Sequence, residues 1–287
     1  MRKTTGTMMV TAMLAQASAA SAQFQMPPPP PAPRSMPGNP MQPSSKWAAN
    51  FGDNSCEIAR DFDTGKQQVE LVFRPLTGTD QIQVELRYRG APPKPLGGNA
   101  RFAMYPAGSS ATGGYFDAAL PPEEPFERLT MITLQRKDVA ELAHSQVITL
   151  VYGSKMASLA PGVLGDVAKV LKECEDDLVK SWGYDPKLMS SLMAAPTPVS
   201  PEKWFSARDL PSKRDARDVR PPSVRFTVGA DGVVSNCALV FSSGSKMFDD
   251  RACALMTTRA RYKPALDAAG QPVAALMVSP VLRPFGS

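Results

Sequence analysis

The chain has very little of what enzymes and nucleic-acid-binding proteins use. It contains a single histidine, His144, and neither a long basic run nor a platform of basic and aromatic residues. No serine lies in a G-x-S-x-G motif, and neither glycine-rich phosphate-binding motif occurs. We therefore expect a protein that is not an enzyme, with no cofactor, no metal site and no nucleic-acid partner. These absences argue in particular against an exported hydrolase.

The sequence also lacks a hydrophobic run long enough to cross a bilayer, which takes about 20 apolar residues. Residues 1–22 carry Arg2 and Lys3, then a mostly apolar stretch, then the small residues Ala20, Ser21 and Ala22. This order predicts a secretory signal peptide that is cleaved before residue 23. We therefore expect a periplasmic protein, the alternative being an uncleaved N-terminus that anchors the chain in the inner membrane.

Proline, by contrast, is abundant, with 29 residues in the chain of 287, roughly twice its ordinary share of about 5%. Residues 23–46 are rich in proline and are predicted to be disordered, because this composition favours an open, extended chain. Residues 196–222 contain further prolines and charges of both signs, and we interpret them as a linker. Trp204 and Phe205 are apolar exceptions there, and either neighbouring domain could accept them.

The clearest folding pattern lies in residues 223–287. Two runs of alternating apolar and polar residues flank an Asp-Gly turn, which is typical of a β-hairpin. A helix is predicted over 246–259, and an extended run follows at about 273–282. One helix must then cover one face of a small antiparallel sheet of three strands. The apolar residues that share a face are Val224, Phe226 and Val228 in the first strand, Cys237, Leu239 and Phe241 in the second, and Phe248, Ala252, Leu255 and Met256 in the helix.

This segment resembles the C-terminal domain of the TonB energy transducers. The resemblance is carried, in order, by the following pieces: VRFTV at 224–228, DGVV at 231–234, the Ser-Ser-Gly break at 242–244, Phe248-Asp249, RARYKPA at 259–265 and GQPV at 270–273. The family pairs its last strand with a short segment of outer-membrane receptors, which is recognition by strand addition. Carried over to this chain, the resemblance implies a partner-binding strand made of Val273, Ala274, Ala275, Leu276, Met277, Val278 and Ser279.

Residues 47–195 are predicted to form a separate, mainly-β domain. Alternating strands are predicted at 67–74, 81–89, 129–134 and 147–152, with glycine- and proline-rich loops at 90–98 and 106–114. This pattern favours a β-sandwich or a strongly curved sheet. One helix with an apolar stripe, about 162–182, closes the domain. The whole chain is therefore assigned to the α+β class.

Four cysteines in an exported chain suggest disulfides, and four allow three connectivities. We favour Cys237–Cys253, because the second hairpin strand and the helix that covers it each carry one of these residues. We favour Cys56–Cys174 for the remainder, which would tie the first strand of the mainly-β domain to its closing helix. For Cys237 and Cys253, the alternative is two buried free thiols.

The sequence therefore predicts a periplasmic protein that binds an envelope protein or an outer-membrane receptor through strand addition, with a possible link to TonB-dependent transmembrane transport. A true energy transducer is a second hypothesis, but transmitting force requires an anchor in the inner membrane. The third is an envelope structural or assembly factor that acts through the mainly-β domain.

Overall fold

The structure is a computed structural model that describes residues 31, 35–65, 67–90, 97–120, 124–162, 167–206, 209 and 222–281. The predicted signal peptide, residues 1–22, lies outside the described residues, as does the proline run at 27–30. The described chain has the predicted α+β architecture, with a large mainly-β domain followed by a small sheet and helix. No helix in these described ranges is long and apolar enough to span a membrane.

One antiparallel sheet of ten strands makes up the N-terminal domain. Apart from β2, which pairs with β3, the strands follow the order β1-β3-β4-β5-β8-β7-β6-β9-β10. The strands are β1 Gln42–Pro43, β2 Ala48–Phe51, β3 Cys56–Asp63, β4 Gln68–Pro75, β5 Gln81–Tyr88, β6 Gly97–Tyr105, β7 Ser109–Ala119, β8 Arg128–Gln135, β9 Val147–Tyr152 and β10 Lys155–Leu159.

The two ends of this sheet meet and nearly close it into a barrel. Met41, which precedes β1, donates its N–H to the carbonyl of Ser158 in β10 (2.9 Å), and its own carbonyl accepts from the N–H of Ala160 (3.0 Å). The strongly curved sheet is therefore the form adopted, and the barrel interior is the main hydrophobic core. Residues 41–43, placed in the disordered segment by their proline content, are part of the barrel because their backbone groups complete its ladder.

Strand β7 covers residues 109–114 of the loop that was predicted at 106–114, and β6 begins at residue 97, near the end of the loop that was predicted at 90–98. Gly113 marks a close backbone approach instead of a turn, because a Cβ atom there would collide with the carbonyl oxygen of Thr133 in β8. The glycine-rich composition therefore hides a strand of eleven residues, Ser109–Ala119.

Helix α1, Val167–Ser181, closes one end of the barrel. Leu171, Cys174 and Leu178 share its buried face and join the barrel core, as the apolar stripe predicts. A 3₁₀ helix, Arg136–His144, precedes β9, and the short helix α2, Pro186–Ser190, follows α1.

The C-terminal domain is a three-stranded antiparallel sheet in the order β13-β12-β17, with helix α3 packed on one face. This is the predicted architecture, and the helix has the predicted bounds. Its elements are β11 Thr197–Pro198, a 3₁₀ turn Pro201–Lys203, β12 Ser223–Val228, β13 Val234–Phe241, α3 Lys246–Arg259, β14 Tyr262–Lys263, β15 Ala265–Leu266, β16 Pro272–Val273 and β17 Ala275–Pro280.

One residue of the hairpin lies on the face opposite to the predicted one. Leu239 pairs with Val224, but a register shift then pairs Phe241 with Ser223. Neighbouring residues of a strand point to opposite faces, so Phe241 lies on the face away from α3. The extra residue of a bulge, which simple alternation does not foresee, is the cause.

The described part of the segment interpreted as a linker belongs to the C-terminal domain. Strand β11 pairs with β14, and Trp204 and Phe205 are buried in the core that β12 and α3 share. The Trp204 ring centroid is 5.1 Å from that of Tyr262, and its indole N–H donates to the carbonyl of Val199 (3.0 Å). These two aromatic residues therefore pack on the C-terminal side, where they extend a small core.

Candidate functional site

The predicted binding strand lies largely in β17, and the direction of its backbone groups follows from its pairing with β12. The N–H of Val281 donates to the carbonyl of Pro222 (2.7 Å), whereas the N–H of Val278 points the other way. Backbone groups alternate in direction along a strand. The N–H and C=O of Leu276 and of Val278 are thus the groups on the outer edge of β17, where an added strand would bond.

Two of the residues carried over from the family resemblance lie outside this strand. Val273 lies in β16, where it pairs with Ala265 in β15, and Ala274 separates β16 from β17. Ala275 to Ser279 lie in β17. The segment that can offer a continuous ladder edge is therefore shorter than 273–279, and Pro280 at its end has no N–H to donate.

The outer edge of β17 is covered by the turn that joins β4 to β5. The N–H of Val278 donates to the carbonyl of Thr77 at 3.0 Å. Gly78 lies against the next rung with φ +81°, and a Cβ atom there would collide with the carbonyl oxygen of Leu276. Leu276 and Val278 are accordingly only 1% and 4% exposed, although β17 is an edge strand of its own sheet.

The sheet face opposite α3 packs against the N-terminal domain. The guanidinium carbon of Arg225 lies 5.1 Å from the ring centroid of Trp182, which follows α1. The hydroxyl groups of Tyr184 and Thr227 are hydrogen bonded. Leu76, Val240 and Val278 form a small apolar cluster between the domains, with Trp182 and Phe241 at its margin. The docking and the covering of the β17 edge are thus one continuous interface.

A buried group of charges on β3, β4 and β5 supports this interface. Arg74 is 4% exposed, forms ion pairs with Glu57 and Glu85, and lies with its guanidinium carbon 4.2 Å from the ring centroid of Phe241. Burial raises the pKa of the Glu57 carboxyl, but Arg74 and Arg87 outweigh burial and hold that pKa below its ordinary value. Buried charges are costly unless paired, so the pairing of Arg74 with Glu57 and Glu85 is what allows Phe241 to cover this surface.

The opposite edge of the sheet, β13, is more accessible. Arg225 pairs with Ala238 and Val224 pairs with Leu239. The backbone groups of Val224 point to β17, so those of Leu239 point away from β12. Leu239 is 38% exposed. In the docked arrangement, a strand could therefore reach β13 more readily than β17.

Both cysteine pairs favoured from the sequence are disulfides in the structure. Cys56 at the start of β3 is bonded to Cys174 of α1, with the two Cα atoms 5.8 Å apart. Cys237 of β13 is bonded to Cys253 of α3, with the two Cα atoms 5.4 Å apart. The first fixes the closing helix to the barrel and the second fixes α3 to the sheet that it covers.

A cavity of about 590 Å³ opens at the end of the barrel away from α1. Val69, Leu86, Tyr88 and Tyr152 contribute to its lining, and Lys155 stands at the same opening. Burial raises the pKa of Tyr152 to about 12. The mouth of a barrel is a common place for a ligand, so this cavity is where the N-terminal domain would act if it had a role of its own.

Sequence patterns identified β17 but not the residues that cover it. Trp182 is the last residue of the predicted helical stripe and Tyr184 follows it. Both carry a weak signal as large aromatic residues at a helix end. Thr77 and Gly78 read as an ordinary hairpin turn, since alternation on either side predicts a turn there. The signal that could have pointed to the contact is the apolar Leu76 beside that turn.

Comparison with known protein families supports the assignment of the C-terminal domain. Residues 222–281 match the family described as Gram-negative bacterial TonB protein C-terminal. This is the resemblance noted from the sequence, and the segment is therefore a TonB C-terminal-like domain. The match indicates an envelope protein whose C-terminal domain interacts with other envelope proteins. No curated protein and no solved structure matches the chain.

Proposed function

We propose that this chain is a periplasmic, non-enzymatic binding protein that takes up an extended segment of an outer-membrane receptor, or of another envelope protein, on the outer edge of β17. The observation that supports the proposal is that β17 is an edge strand of its sheet, in a domain that matches the TonB C-terminal family. Main-chain hydrogen bonds supply most of the attraction in strand addition, so few specialised side chains are needed. The outward groups of Leu276 and Val278 would form the first rungs.

The test is binding of the full chain to synthetic peptides copied from the periplasmic N-terminal segments of TonB-dependent receptors. Leu276→Pro removes an outward N–H from β17, and Leu239→Pro removes one from β13, so the two variants form a matched pair on opposite edges. We expect Leu276→Pro to abolish binding and Leu239→Pro to retain it, with circular dichroism confirming that both variants fold. The reverse pattern would contradict the proposal.

The alternative is an envelope structural or assembly factor that acts through the barrel, and the cavity at its mouth is the observation that favours it. In that case, binding of an envelope partner would fall with Tyr88→Ala or Lys155→Ala and would be unaffected by Leu276→Pro.

Localisation is tested by sequencing the mature N-terminus and fractionating cells. A chain that begins at residue 23 and is released with the periplasm supports a binding protein. A chain that keeps residues 1–22 and stays with the inner membrane would favour energy transduction instead, since force needs an anchor.

A further inference from the structure

We propose that the β4–β5 turn is a built-in cap on the partner-binding edge, so that a partner strand must displace the barrel from β17. The inference rests on the proposed function for the identity of the site, but the cap itself follows from the contacts of the described residues. The carbonyl of Thr77 already occupies the Val278 rung, which is one of the two that an added strand would use.

The cap fits its place closely because one of its residues has no side chain. Gly78 adopts φ +81° and passes directly over the carbonyl of Leu276, where a Cβ atom would meet the β17 backbone. Any other residue would be strained at this φ and would also push the turn away from the strand. The low exposure of Leu276, 1%, shows that nothing can reach this rung while the turn stays in place.

The other contacts between the barrel and the C-terminal domain can break without leaving buried polar groups unpaired. They join groups that solvent can satisfy on release: a hydroxyl pair, Tyr184 with Thr227, and a cation–aromatic contact, Arg225 with Trp182. The apolar cluster of Leu76, Val240 and Val278 is small beside the cores of the two domains. Each domain keeps its own disulfide, so separation would leave both folded.

The cap therefore makes binding competitive. A partner can bind only those molecules in which the β17 edge is uncovered, so its apparent affinity is reduced in proportion to that fraction. A substitution that opens the edge should tighten binding, whereas one that only strains a turn elsewhere should not.

The test compares Gly78→Ala with Gly65→Ala in the full chain. Gly65 lies in the β3–β4 turn at φ +77° with nothing within 4 Å of a Cβ atom, so it imposes the same backbone strain without the collision. Tyr184→Phe is a second opening variant that leaves both the barrel hairpins and β17 unchanged. The readouts are amide hydrogen exchange of Val278 against Met277, whose N–H faces β12, and the affinity for the receptor-segment peptides.

We expect Gly78→Ala to speed exchange at Val278 and to tighten peptide binding, each by roughly tenfold or more, with Met277 unchanged. Tyr184→Phe should act in the same direction by less, and Gly65→Ala should match the wild type. Unchanged exchange at Val278 in Gly78→Ala would overturn the cap. If Gly78→Ala speeds exchange at Val278 but leaves the peptide affinity unchanged, the cap does not compete with the peptide. Faster exchange with no peptide bound by any variant would keep the cap and contradict the proposed function.

Discussion

Trp204→Ala tests whether the C-terminal domain extends beyond the segment that matches the TonB family. Trp204 lies outside residues 222–281, yet it is buried in the core of that domain, against Tyr262. The substitution removes a buried indole and its hydrogen bond to the carbonyl of Val199. Truncating a buried tryptophan to alanine typically costs about 3–5 kcal/mol, because transfer and cavity terms add.

The assay is native-state hydrogen exchange at the central strand β12, for example at the amide of Phe226. Each 1.4 kcal/mol changes an equilibrium about tenfold, so protection should fall by roughly two to three and a half orders of magnitude. Met247→Ala, at a half-exposed position of α3, is the control and should change protection by less than tenfold. If Trp204→Ala has no larger effect than this control, the segment before residue 222 is not part of the folded domain.

Three further predictions concern stability. Because the folded-state pKa of Glu57 is lowered, its carboxylate stabilises the protein above its ordinary pKa of 4.5 and loses that effect as the pH falls through the folded-state value. The gap in urea stability between wild type and Glu57→Gln should therefore narrow on acidification, and a constant gap would refute this. Gly232 has φ +77°, and a Cβ atom there would be directed at the carbonyl of Tyr262. Gly232→Ala should therefore lower the free energy of unfolding by more than the roughly 1–2 kcal/mol that left-handed strain alone costs. Gly270→Ala is the matched control, because Gly270 has φ +75° with only a side-chain methyl nearby. The Cys237–Cys253 disulfide joins residues that are 16 apart in the sequence. Replacing both cysteines by alanine should lower the free energy of unfolding, measured by heat or urea, by about 3 kcal/mol.

The C-terminal domain could be predicted from the sequence because its signals are local. Alternation around an Asp-Gly turn and helical spacing at Phe248, Ala252, Leu255 and Met256 each act within a few residues. The Cys237–Cys253 pair then follows from which strand the helix covers. Phe241 was predicted on the wrong face of the sheet, because a bulge adds a residue that the alternating pattern does not reveal.

The cap and the docked interface could not be predicted in the same way. They join Thr77 and Gly78 to β17 across about two hundred residues of sequence, and neither turn residue differs from those of an ordinary hairpin. Proline content also misled in two places. Proline at 40–43 hid the strand that closes the barrel, and proline at 196–201 hid strand β11. Trp204 and Phe205 stood out as apolar residues, but the sequence did not show which domain accepts them.

The central claim is that β17 is the receiving edge, and the amide of Leu276 tests it most directly. Its N–H faces away from β12, whereas the amide of Leu239 faces outward on the opposite edge of the same sheet. In the Gly78→Ala full chain, saturating receptor-segment peptide should slow hydrogen exchange at Leu276 and leave Leu239 unchanged. Protection at Leu239 with none at Leu276 would place the partner on β13 and contradict the account.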